Sequence, residues 1–97
     1  MTDQPLWPRG ASAGKNDVVL VEQEAATQVR PANPRRNTLT LTNDSENTIY
    51  VFKGAGAAVG KGLRLNKEGG AIVISDYNGE VTAAAKGGKS NLLWSED

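Results

Sequence analysis

NTLTLTN, residues 37–43, alternates threonine with leucine between its two asparagines. In an extended chain successive side chains point to opposite faces, so Leu39 and Leu41 share one face and Thr38, Thr40 and Thr42 the other. The stretch predicts a β-strand with one apolar face. The chain that follows repeats the pattern. NDSEN is a turn cluster, after which TIYVFK (48–53) places Ile49 and Val51 inward and Tyr50 and Phe52 on the opposite face. GLRL (62–65) presents Leu63 and Leu65 around an outward Arg64, NKEGG turns, and AIVIS (71–75) offers Ile72 and Ile74. DYNG contains Asn78-Gly79, a hairpin signal because both residues tolerate positive φ. EVTAAA (80–85) points Val81, Ala83 and Ala85 one way, KGGK turns again, and NLLWSE (91–96) supplies a last strand.

Short strands separated by Gly/Asn/Asp turns about every eight to twelve residues predict an all-β fold, a small antiparallel β-sandwich or barrel. Leu39, Leu41, Ile49, Val51, Leu63, Leu65, Ile72, Ile74 and Val81 are its expected core. EQEAATQV (22–29) could form a helical turn, which Pro31 would stop. No other segment has a helical period. The second-face residues Tyr50, Phe52, Val73, Leu93 and Trp94 read either as interface groups or as covers for the edges and ends of the sandwich.

Composition narrows the function. Ninety-seven residues make one small domain, 38% of it apolar. Lys+Arg and Asp+Glu both number 11, so no net field draws the chain to nucleic acid or to an acidic membrane surface. Cysteine and histidine are absent, which removes disulfides, thiolate chemistry, the usual general base near neutral pH and the commonest metal ligand. The first residues, MTDQPLWPRGASAGKND, have no apolar signal region, and no apolar run approaches a membrane span, so a soluble protein without a secretion signal is expected. Asp44, Glu46, Glu68, Asp76 and Glu80 fall in or beside predicted turns, where carboxylates are ordinarily solvated, and the turn DSEN lacks the alternating ligand spacing of a calcium loop. No catalytic, cofactor or metal site is expected.

GAGAAVGKG (54–62) is the stretch most like a phosphate loop. A Walker loop requires G-x-x-x-x-G-K-[ST], but Gly56 and Gly60 stand one residue too close and Gly62 follows Lys61 where a hydroxyl is needed. Gly54, Gly56 and Gly60 likewise miss the dinucleotide fingerprint by one position. Both motifs also need a helix directly afterwards, and GLRLNKEGGAIVIS reads as strand and turn. The loop is therefore expected to be a connection whose glycines serve tight backbone geometry.

Residues 1–24 differ from the rest and are expected to form an extended N-terminal arm, with residues 25–97 as the sandwich. Pro5 and Pro8 flank Leu6 and Trp7, a stiffened anchor for a partner or for the chain's own domain. Val18, Val19, Leu20 and Val21 form a β-prone run able to join a sheet edge, its own or a neighbour's. A core this small supplies only about 3–5 kcal/mol, so docking or oligomerisation would add burial. Leu6, Trp7, Val18, Val19, Leu20, Val21, Tyr50 and Phe52 are the expected partner-binding residues.

The succession RPANPRRNTLTLTNDSENTIYV, a glycine-rich loop, GLRLNKEGG and YNGEVTAAAKGGKSNLLWSE resembles small β-sandwich modules of tailed-bacteriophage structural proteins. The resemblance covers residues 25–97. It implies a virion component assembled in the bacterial host cytoplasm: a capsid decoration or cement protein docked on the major capsid protein or other virion proteins. It also implies a homo-oligomer, a trimer being one form. A head-fibre or tail subunit, or a receptor- or carbohydrate-binding module, is the alternative. Within the pattern, Asn33 and Asn43 are expected to cap turns and strand ends, and Arg36 to clasp the fold through loop carbonyls.

Overall fold

The computed structural model describes residues 15–97. The alternation around Leu41 becomes a strand, and seven others join it: β1 Lys15–Val21, β2 Thr27–Arg30, β3 Leu39–Asn43, β4 Ile49–Lys53, β5 Leu63–Leu65, β6 Ala71–Ile74, β7 Val81–Ala85 and β8 Ser90–Glu96. They form two four-stranded sheets, sheet A in the order β1-β8-β3-β6 and sheet B in the order β2-β7-β4-β5, with every strand pair antiparallel. Among consecutive strands only β4 and β5 pair, and every other connection crosses from one sheet to the other. This is the winding of a jelly roll. β1 begins where β8 ends, with Lys15 opposite Glu96.

The inward faces of the two sheets make one core. All the expected core residues are buried except Leu63 and Ile72, which are half-buried at its rim. Val21, Val29 and Leu92 join them. Ala83 and Ala85 on β7, fully buried, are small enough for the sheets to close around the larger leucines and isoleucines.

Three expectations change. Residues 15–21, assigned to the arm, are a full strand of the sandwich, paired with β8 along their whole length, so the domain begins at or before Lys15 rather than at residue 25. The helical turn at 22–29 does not form, because Thr27–Arg30 pairs with β7 and buries Val29. Glu24 makes the preceding corner at φ 51°, and the Thr27 hydroxyl accepts the Glu22 N–H at 2.9 Å. Asn78-Gly79 does not close a hairpin, since β6 pairs with β3 and β7 with β4. The carbonyls of Asn78 and Gly79 instead accept from the Asn33 N–H and the Arg36 guanidinium, which fixes the segment as a crossing. Leu6 and Trp7 lie outside the described residues.

Asn43 closes one end of the sandwich. Fully buried, it donates to the carbonyls of Asn47 (2.7 Å) and Leu65 (3.0 Å) and accepts from the Ser45 hydroxyl (2.6 Å). Asn47 in turn donates to Ser90 Oγ at 3.1 Å, so a neutral network ties β3, β5 and β8 together. Asn33 caps a turn as expected, its side-chain oxygen accepting the Arg35 N–H at 3.0 Å.

Leu41→Ala should cost about 2–5 kcal/mol, read as a lower urea midpoint, because Leu41 is wholly buried between the sheets. Deleting residues 1–24 removes β1 and Val21 and should abolish the folded circular dichroism. Deleting residues 1–14 removes none of the eight strands and should preserve it.

Candidate interaction surface

The two outer faces of the sandwich are finished differently. On sheet B the glycine-rich loop folds back over the strands that precede and follow it. The Ala57 N–H donates to Thr82 Oγ1 at 3.2 Å, and the same hydroxyl donates to the Gly54 carbonyl at 2.7 Å. Gly54 and Gly56 lie against the Phe52 ring, close enough that a Cβ on Gly54 would come within 3.2 Å of it. Gly62, at φ +86°, returns the chain to β5 where a Cβ would run into the Val51 carbonyl oxygen. The N–H groups of Gly54, Ala57 and Lys61 are all spent on protein acceptors, and a strand follows the loop. The glycines serve this close cover of Phe52 and Thr82.

Sheet A carries no such cover among the described residues. Its register places side chains in rows across the outer face. Val18, Leu93, Thr42 and Ala71 form one row, and Asn16, Ser95, Thr40 and Val73 the next. Leu20 and Asn91 begin a third. Val18 and Leu20 are each 48% exposed, Val73 59% and Leu93 40%. The chain is 23% charged, yet none of these outward positions is. An open depression of about 430 Å³ runs along Val18, Leu93, Thr40 and Thr42. Asp17 borders it and spends one carboxylate oxygen on the Val18 N–H at 2.7 Å.

The end of this face is held by a buried ion cluster. Leu92, Trp94 and Glu96 share the inward side of β8, which turns a carboxylate toward the core. Arg30, at the end of β2, donates to one oxygen at 2.9 Å, and Arg36 to the other at 2.9 Å. Arg36 also reaches the carbonyls of Pro31 (3.2 Å) and Gly79 (2.6 Å), the clasp expected of it. The Arg30 guanidinium lies over the Trp94 ring, 4.2 Å from its centre, a cation–π contact. Burial disfavours the charged form of Glu96, but hydrogen bonds from Arg30 and Arg36 and their positive charges outweigh it and hold the carboxyl below its ordinary 4.5. This arrangement is architectural, since every oxygen of the carboxylate faces an arginine.

The expected partner-binding residues separate accordingly. Val18 and Leu20 stand on the exposed face. Val21 is fully buried and Val19 packs against the core, so both serve the chain's own interior. Tyr50 and Phe52 are half-buried on the outer side of sheet B. Trp94 belongs to the inner side, because neighbours in a strand point opposite ways and Leu93 is outward. Thr40, Thr42 and Glu96 were not singled out. Period two alone assigns the threonines to a face opposite Leu39 and Leu41, and a carboxylate two residues beyond an inward tryptophan demands a cation. Among the described residues no three carboxylates converge as a metal site would require. Comparison with known proteins finds no matching family model, curated relative or solved structure.

Glu96→Gln leaves two arginines without their counter-charge and should cost about 3–5 kcal/mol near neutral pH. The folded carboxyl titrates below its ordinary value, so its contribution is present above about 4.5 and is lost as pH falls through the folded value. Thermal unfolding across this range should therefore show a weaker acid dependence in the variant than in the wild type.

Proposed function

We propose that this chain is a non-enzymatic structural protein of a bacteriophage virion, decorating and stabilising the capsid by docking on the major capsid protein or another virion protein. The observation that carries the reading is the outer face of sheet A. A flat, uncharged, partly apolar sheet surface offers no acid, base or nucleophile to a small substrate, but it suits burial against another macromolecule. The strand-and-turn pattern of residues 25–97 supports the virion setting. So does the jelly-roll winding, by analogy of fold alone, since that architecture recurs in capsid subunits. Leu6, Trp7, Val18 and Leu20 are the residues assigned to partner contact.

Jelly rolls also serve as lectins, and a carbohydrate- or receptor-binding module is the second reading. The aromatic bordering the depression favours the first. Trp94 is half-buried and one face of its ring is occupied by Arg30, so it offers no open platform to a sugar.

Mixing the purified protein with particles that lack it tests the proposal. Saturable occupancy and a higher temperature of particle disruption are expected, with Trp7→Ala lowering occupancy. Absence of binding, together with retention on a glycan array, would transfer the function to the second reading. Lys61→Ala should leave occupancy and stability unchanged, and neither ATP nor GTP should raise the melting temperature.

A further inference from the structure

We propose that the outer face of sheet A is a self-association surface, on which a second copy of this chain packs face to face about a two-fold axis. The inference deepens the assembly reading above, on which it rests for its setting, and concerns which partner covers this face.

Side-chain chemistry selects the partner. A two-fold contact sets one surface against itself, so any charge it carries meets the same charge nearby. Sheet A presents none at its outward positions. Its polar groups are the hydroxyls of Thr40, Thr42 and Ser95 and the amides of Asn16 and Asn91. Each of these side chains can both donate and accept, so each can pair with its own kind. Val18, Leu20, Leu93 and Val73 supply apolar area on either side of the central threonines. A surface adapted to a charged partner would show complementary charge, and this one shows neither sign.

Size sets the strength. Four strands about 4.8 Å apart and roughly five residues long, at ~3.4 Å per residue, give a face on the order of 300 Å² in plan. With side-chain relief, two copies would bury about 800–1,000 Å² in total, at the lower limit of specific interfaces. The dimer is accordingly weak in isolation and forms at high local concentration, such as repeated binding sites on one lattice would provide.

Sedimentation of the full chain as a function of concentration tests this. The expected result is a reversible shift from 10.2 kDa toward twice that mass, lost in Leu93→Glu and in Leu93→Lys and restored when those two variants are mixed. Restoration by mixing requires two copies to meet on this face and cannot come from a folding defect. Thr42→Glu, at a half-buried threonine, should abolish the shift while leaving circular dichroism unchanged. Arg64→Glu, on the outer side of sheet B, should leave the shift in place. A wild-type chain that stays monomeric to millimolar concentration, or Leu93→Glu and Thr42→Glu variants that still dimerise, would overturn the proposal and assign the face to the shell or to residues 1–14. Loss of particle binding with the dimer intact overturns the virion reading alone.

Discussion

The Glu96 carboxylate is the point at which both sheets are joined. Taking a carboxylate and two guanidinium groups out of water costs several kcal/mol per ion, recovered only when the geometry is nearly complete. Here each carboxylate oxygen receives its own arginine, at 2.9 Å in both cases. Arg30 brings the end of β2, from sheet B, to the end of β8, from sheet A. Arg36 adds the carbonyls of Pro31 and Gly79, so the connections after β2 and after β6 are bound to the same centre. The Nε of each arginine finds no protein partner, a local deficit that the other bonds offset. Such a cluster tolerates little displacement, and it fixes β8 between β1 and β3 with Leu93 outward and Trp94 inward.

The opposite end of β3 is closed by neutral groups. Asn43, Ser45, Asn47 and Ser90 form their network without charge, and the Asn43 side chain satisfies two backbone carbonyls from different strands. One end of the sandwich is thus sensitive to acid and the other is not. Between them the strands need only bury leucine, isoleucine and valine inward. Their outward side chains are therefore free to serve binding, and sheet A uses that freedom where sheet B spends it on its own loop.

Much of this was legible in the sequence, and what was not has definite physical causes. Strict alternation in LTLTN and TIYVFK identified β3 and β4 with the correct inward residues, because one face of each is buried. Val18–Val21 lacks alternation in residue type, since its outward side chains are apolar too, and the run therefore read as an arm. EQEAATQV has good helix formers, but pairing with β7 and burial of Val29 override local preference. Asn78-Gly79 carries a real turn signal, yet sheet membership depends on partners far along the chain. The exposed face was half legible: Val18, Leu20, Val73 and Leu93 were picked out. Without the register, nothing showed that Thr40 and Thr42 lie between them.

The register of β1 against β8 has a mechanical consequence. Lys15 sits opposite Glu96, so the chain leaves both strands side by side at one end of sheet A. A pull applied through those two exits would open the ladder one pair at a time, as a zipper opens, instead of shearing all its hydrogen bonds together. Tension delivered through the chain ends would peel β1 away and expose Val21 and Leu92. Tension spread over the sheet faces would meet both sheets at once. A jelly roll wound this way resists strain best as a tile held by its surfaces, and poorly as a link in a tether.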